Sequence, residues 1–223
     1  MEVGIDIRKQ MMEVTPSMHH MMGGYDITEW GETNIPGLYA CGEVTRSVHG
    51  ANRLGGNSIA EGQVFGRRAG IRASAFAGQE PTPQIEQQLI DEGLSYVESF
   101  LRRGDGVKPI TVFGKIKDVM WNYVGIIRDE EKLHHALMEI NRLEQEVSLL
   151  FAENVKELQS CLEIHDMLEV AETIILAALE RKESRGAHYR SDYPQMDPAW
   201  ERNIRIHKHA DGRLVTEIVP IVK

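Results

Sequence analysis

Between His49 and Glu61 the chain reads His-Gly-Ala-Asn-Arg-Leu-Gly-Gly-Asn-Ser-Ile-Ala-Glu, and no other stretch narrows the possible fold as much. Gly50, Gly55 and Gly56 let the backbone approach a ligand closely or adopt positive φ. Ser58 and Glu61 have the spacing of a capping box, in which the serine oxygen takes a first-turn N–H and the glutamate reaches back to the cap. Ile59 to about Ala77 follows as a helix. Its N-terminus points where the glycines open the chain, and such an end attracts an anion or an electron-rich ring edge. Arg53, just before it, offers a planar fork suited to a carboxylate. A glycine-rich loop closing into a capped helix, with Arg53 in a surface ion pair, accounts for the same residues without a ligand.

The whole chain sets bounds on that loop's role. At 223 residues and 42% hydrophobic content it can build one large or two small domains with a real core. A net charge of −9 argues against nucleic acid as a main partner, since phosphate binding wants a basic stripe. The longest apolar run, Ile174 to Leu179, is far shorter than a membrane span. The first residues have neither a basic n-region nor an apolar h-region, so no signal peptide is expected. Cys41 and Cys161 stand far apart, in no metal spacing, which fits a reduced cytoplasmic setting.

Along the chain, Gly4–Ile7 and Met12–Thr15 alternate apolar and polar residues and predict short strands, the second ended by Pro16. His19 and His20 are adjacent and on a strand would face opposite ways, which makes them poor joint ligands for one metal. Leu38–Cys41 predicts a short buried strand with Gly42 and Glu43 at its carboxyl end, where open α/β sheets bind ligands. Without a ligand, Glu43 is a loop carboxylate in solvent. Arg67 and Arg68 read as exposed or ion-paired. Gly78–Pro83 is the clearest linker, and Thr82 with Pro83 predicts a helix start.

Four helices are then expected: Pro83 to about Arg103, Val112 to Ile127, one capped by Asp129 and running to about Phe151, and Leu158 to about Lys182. Leu133, Leu137, Ile140, Glu144, Val147 and Leu150 form the third helix's stripe, interrupted by one charge, and Leu168, Ala171, Ile175 and Ala178 the fourth's. Short connections point to an up-and-down bundle. His134 and His135 fall on a solvated face. Gly186 reads as a helix end, with Arg185 and His188 as cations offsetting the helix dipole. Asn203–His207 and Leu214–Val219, joined at Asp211-Gly212, predict a hairpin that must dock on the bundle or on a partner, since two strands alone are marginal.

Three segments carry a family resemblance. Gly37–Glu43 with His49–Ser58 resembles the flavoprotein subunit of succinate dehydrogenase and fumarate reductase, whose superfamily includes L-aspartate oxidase. Pro16–Gly24 is similar to that family's His-x-x-Met-Gly-Gly, and Glu183–Pro194 to a motif of its C-terminal helical region. They stand in the family's order over nearly the whole chain. The Gly-x-Gly-x-x-Gly that seats a dinucleotide pyrophosphate is missing. The resemblance therefore implies the C-terminal part of such a flavoprotein, lacking most of the FAD domain and the substrate-capping domain.

The implied fold class is α+β: the C-terminal edge of an FAD-binding α/β domain over 1–78, a helical domain over 79–200 and a hairpin tail over 201–223. The implied reaction is FAD-dependent interconversion of succinate and fumarate. Arg53 and His19 would grip the dicarboxylate, His19 aligning with the family's substrate histidine and His20 standing where relatives often have tyrosine. Glu43, after Gly42, would accept from the flavin's ribityl chain. Gly55 and Gly56 belong to the same cofactor-binding loop, and the Asn57 and Ser58 amides would face the pyrimidine edge. No metal is expected. Arg185 and His188 would help tie the helices to the flavin domain. The implied partners are the dicarboxylate, the N-terminal FAD-binding half and an iron–sulfur subunit, without nucleic acid or direct membrane insertion. The setting is cytoplasmic, or peripheral at the inner membrane face through partner subunits, and no turnover is expected of this chain alone. The alternatives are an L-aspartate oxidase-type flavoenzyme and a non-catalytic helical interaction module.

Overall fold

The structure is a computed structural model and describes residues 6, 8–46, 48–82 and 84–221. They group into two compact units, Met1–Thr82 and Pro83–Lys223. The predicted strand over Gly4–Ile7 lies largely outside the described residues.

The first unit is loop-rich. A parallel pair, β1 (Tyr25–Asp26) and β2 (Thr45–Arg46), flanks a 3₁₀ turn at Gly42–Val44, and one long helix follows, α1 (Asn57–Gln79). Two predicted strands do not form. Met12–Thr15 has no ladder partner, and Met12 and Val14 are exposed. Alternation marks which side chains would share a face, but it does not supply a second strand. Leu38–Cys41 is reduced to a single bridge, Glu32 to Tyr39, because Gly37 and Gly42 at φ 83° and 79° turn the chain at either end.

The predicted capping box at the start of α1 is also replaced. The N-cap is Gly56, in the left-handed region at φ 85°, and no side chain caps the helix. Ser58 already lies inside the first turn, where its Oγ accepts from Arg53 Nη1 at 2.7 Å. Glu61 does not reach back. It is buried and accepts the Gly42 N–H at 3.2 Å, tying the 3₁₀ turn to the helix. Further along, a Cβ on Gly31 would stand 2.7 Å from the Ala69 Cβ, so the loop before Glu32 lies flat on α1. Arg68 donates to the Glu29 carbonyl and stacks on Trp30, which gives one of the two adjacent arginines a packing role.

The second unit contains α2 (Gln87–Arg102), α3 (Pro109–Tyr123), α4 (Glu130–Val147), α5 (Val155–Glu180) and an antiparallel pair, β3 (Arg202–Lys208) and β4 (Leu214–Pro220). The core is formed by α3, α4 and α5 packed on one another, while α2 lies on α5 and buries only Phe100. Val112, Leu133, Ile140, Ile164 and Ile175 are almost wholly enclosed. Each such side chain is worth about 1.5–3 kcal/mol of burial. The stripe on α4 runs Leu133, Ala136, Ile140, Leu143, so the expected Glu144 sits in solvent one position past the core. The α5 stripe is Leu168, Ala171, Ile175 and Ala178, as the periodicity predicts.

Asp129 caps α4 by accepting the Lys132 N–H, and Asn154 caps α5 by accepting the Glu157 N–H. The start of α2 differs from expectation. Its N-cap is Glu86, several residues beyond Thr82, and Pro83 lies outside the described residues. Helix turns that gain no packing do not form cheaply, and α2 packs only near its far end. His135 is half-buried against the Tyr123 ring at 4.4 Å, whereas His134 is solvated. The hairpin closes through a five-residue loop, His209–Arg213, that contains the expected Asp211-Gly212 pair. Gly212 supplies φ 87°, and His209 N–H donates to Arg213 O. The hairpin docks on α5, where Thr216 Oγ1 donates to Glu180 and Lys208 pairs with Glu169.

Between α5 and β3 the chain is held by buried charge. Helix α5 ends at Glu180, so Gly186, at φ 59°, serves the tight Arg185–His188 turn instead of a helix end. Glu183, fully buried, accepts from Arg181, from both donors of the Arg185 fork and from the Asp197 N–H. Arg190, also fully buried, pairs bidentately with Asp192 and donates to the Ala178 carbonyl at the end of α5. His188 Nδ1 lies 2.9 Å from Arg128 Nη1 and must be the acceptor, since a guanidinium only donates. Burial, and then the Arg128 charge, push the His188 imidazole down to about 4. The Arg190 fork holds the Asp192 carboxyl down to about 2.

Both shifts give the same sign of pH dependence, because in each case the unfolded chain takes up the proton first. Stability is therefore fully present above the ordinary histidine value of 6.5. It falls as the pH drops from there to about 4, and falls again below 3.8 towards about 2. Denaturant unfolding of the chain against pH tests this. The His188→Gln variant is expected to lack the upper fall, and an unchanged profile would contradict the assignment.

Candidate functional site

Three loops of the first unit meet at Glu43. The loop after His19 is pressed against the 3₁₀ turn: Gly24, at φ 139°, has the Val44 carbonyl oxygen 2.1 Å from where a Cβ would stand, so only glycine fits. That closeness brings the Met21 N–H onto Glu43 Oε1 at 2.8 Å. Gly42, at φ 79° and anchored through its N–H to the buried Glu61, swings Glu43 outward, and its side chain stays half exposed. The Met21 N–H holds the Glu43 carboxyl below the ordinary carboxylate range, and His20, His19 and Arg53 act on it in the same sense. A single acceptor thus faces the His20 ring and lies within the electrostatic reach of His19 and Arg53.

His19 is exposed. Arg53 is half-buried, and its Nη1 is anchored on Ser58 Oγ, which fixes the fork at the head of α1. Gly55 and Gly56 have nothing within 4 Å of where a Cβ would stand, and the same holds for Gly42 and Gly50. The Asn57 N–H already donates to the Leu54 carbonyl at 3.2 Å, whereas the Ser58 N–H has no acceptor among the described residues. Open glycine backbone, a free helix N–H, an outward carboxylate and a fixed guanidinium form a donor and acceptor set that fits a large ligand carrying hydroxyls, a ring edge and a carboxylate partner. Among the described residues no group of three histidine, cysteine, aspartate or glutamate side chains is placed to hold a metal.

Three residues join this site without a clear signal in the sequence. The His20 side chain is only 8% exposed, and its Nδ1 lies 3.4 Å from Glu43 Oε2. His49 stands edge-on to it, ring centroids 5.3 Å apart at 84°. Glu61, whose spacing suits a cap, instead braces the Gly42 turn. Alternation does signal that one of two adjacent histidines points inward, but not which. Arg185 and His188, singled out in the sequence, belong to the second unit, where they bind Glu183 and Arg128.

Comparison with known proteins sorts these observations. A family described as fumarate reductase flavoprotein C-term matches residues 114–219, and an FAD binding domain family matches residues 1–59. One chain of the CoM/CoB fumarate reductase of Methanothermobacter marburgensis is 39% identical over 222 residues, covering 96% of this chain and 40% of that protein. An L-aspartate oxidase of Yersinia pestis is 37% identical over 195 residues, covering 87% of this chain and 35% of that protein. Among solved structures, E. coli quinol fumarate reductase FrdA superposes with a TM-score of 0.90 at 28% identity, covering 99% of this chain and 40% of that one. The chain thus spans about 40% of the length of such relatives. With both family matches in sequence order, and FrdA's architecture reproduced through bundle and hairpin, the chain belongs to the succinate dehydrogenase and fumarate reductase flavoprotein family.

Proposed function

We propose that the chain is the C-terminal portion of a fumarate reductase or succinate dehydrogenase flavoprotein, supplying part of the dicarboxylate site and part of the FAD site. The observation that carries this reading is the outward Glu43 carboxylate, which takes the Met21 N–H, faces the His20 ring and feels the charges of His19 and Arg53. When bound, FAD supplies the two-electron chemistry. The chain's own residues bind, orient and polarise. Glu43 accepts hydrogen bonds from the ribityl hydroxyls, and Gly42, Gly55 and Gly56 let the backbone come close. The Ser58 N–H faces the pyrimidine edge, while Asn57 contributes the turn that sets the helix start. Arg53 holds one carboxylate of succinate or fumarate, and His19 donates to the other. Polarising a carboxylate also stabilises negative charge developing at the neighbouring carbon in the transition state.

This role requires two partners, the FAD-binding remainder and an iron–sulfur subunit. No helix among the described residues is long and apolar enough to cross a membrane. We place the protein in the cytoplasm or peripherally at the inner membrane face. The likeness to an L-aspartate oxidase supports a second reading, in which an amino-acid dicarboxylate is oxidised and oxygen reduced. Succinate-dependent dye reduction measured against aspartate-dependent peroxide formation, in the flavoprotein assembled from this chain and its FAD-binding remainder, separates the two. Succinate turnover without peroxide is expected. Peroxide formation with succinate inert would replace the first reading by the second.

A further inference from the structure

The His20 side chain is only 8% exposed beside Glu43, and the proposed function gives it no task. Its Nε2 is buried and has no partner among the described residues, and the same is true of His49 Nε2. Sealed on that side, the ring has one polar outlet, Nδ1, 3.4 Å from Glu43 Oε2. The other carboxylate oxygen is held by the Met21 N–H. A Glu43 side chain hydrogen-bonded at one oxygen and faced by an imidazole nitrogen at the other is restrained in rotation, which limits where its remaining lone pairs point. The His20 ring in turn rests edge-on against His49, which opens the loop that bears Arg53. Whatever sets His20 therefore sets the carboxylate, and its packing joins that carboxylate's loop to the guanidinium's.

We infer that His20 is a positioning residue that orients Glu43 towards the flavin hydroxyls, acting through Nδ1 and braced by His49. The inference rests on the proposed role of Glu43 and goes one residue beyond it. A hydrogen bond to a charged group is worth about tenfold or more in binding. FAD titrated into the apo form of the assembled flavoprotein, followed by flavin fluorescence, reads the effect. His20→Leu, which removes the donor, is expected to raise the Kd for FAD about tenfold or more. His20→Asn, whose amide can donate from nearly the same place, is expected to stay within about threefold of the wild type.

Because His20 acts through Glu43, the two effects must not add. In a Glu43→Gln background, His20→Leu is expected to change the Kd little. Equal effects of His20→Leu in both backgrounds overturn the inference, as does a Glu43→Gln variant that binds FAD weakly beside a His20→Leu variant that binds normally. That last result leaves the proposed function standing, whereas normal binding by Glu43→Gln removes the role of Glu43 itself. Should His20→Leu fail to assemble, the asparagine variant decides alone: a tenfold loss with it overturns the proposal.

Discussion

Replacing Arg53 by lysine is expected to lower succinate oxidation and fumarate reduction by the assembled flavoprotein on the order of 10²–10⁴-fold while leaving FAD bound. The argument is geometric. The fork is anchored at Nη1 by Ser58 Oγ, which leaves its other donors directed by that anchor instead of by solvent. A lysine keeps the charge but loses the planar pair of donors, and its ammonium cannot hold both Ser58 and a carboxylate in one plane. Transition-state stabilisation that depends on orientation is then lost, while the flavin contacts proposed for the Glu43 carboxylate and the Ser58 N–H do not involve the guanidinium. Steady-state rates with succinate and with fumarate, together with the flavin content of the purified variant, check this. Activity within about fivefold of the wild type would remove Arg53 from the substrate site. Loss of flavin along with activity would place it in the cofactor site instead.

The dicarboxylate grip proposed for Arg53 and His19 is readable in the sequence only through family resemblance, because neither carries a local pattern that distinguishes it from a surface ion pair. Local patterns succeed where the interaction itself is local. Asp129 accepts from the residue three ahead, and the α5 stripe repeats with the helical period, so both can be read from spacing alone. They fail by one step where two neighbouring positions compete, as Leu143 and Glu144 do for the core, since a period of 3.6 admits a step of three or four. The cap of α1 is misleading because Ser58 and Glu61 fit one motif while each has a stronger partner outside it. Arg53 claims the serine, and the Gly42 N–H claims the glutamate. His20 leaves a weak trace because Glu43 and His49 reach it from other loops, and the buried charges of Glu183 and Arg190 leave one because their partners, though near in sequence, follow no helical or strand period.

Those buried charges yield the largest expected stability effect. Arg190 has no exposed side-chain surface, and its charge is balanced by the two oxygens of Asp192 at 2.7 and 2.6 Å. Asp192 Oδ2 also accepts the Glu130 N–H, so one carboxylate both neutralises the guanidinium and satisfies the head of α4. Asp192→Ala leaves Arg190 charged and enclosed, with the Ala178 carbonyl as its closest remaining acceptor. Breaking one side of such a pair costs about 3–5 kcal/mol. At roughly 2–4 °C of melting temperature per kcal/mol for a chain of this size, a fall of about 6 °C or more is expected. The desolvation penalty of the pair gives this prediction a second arm. Removing both charges together, as Arg190→Met with Asp192→Ala, takes away the orphaned cation and is expected to recover at least half of the loss. Thermal unfolding of the four members of the cycle reads both arms. If the double variant is as unstable as the sum of the singles, Arg190 contributes through its contact with Ala178 and its packing, and the charge balance is not what holds the segment between α5 and β3.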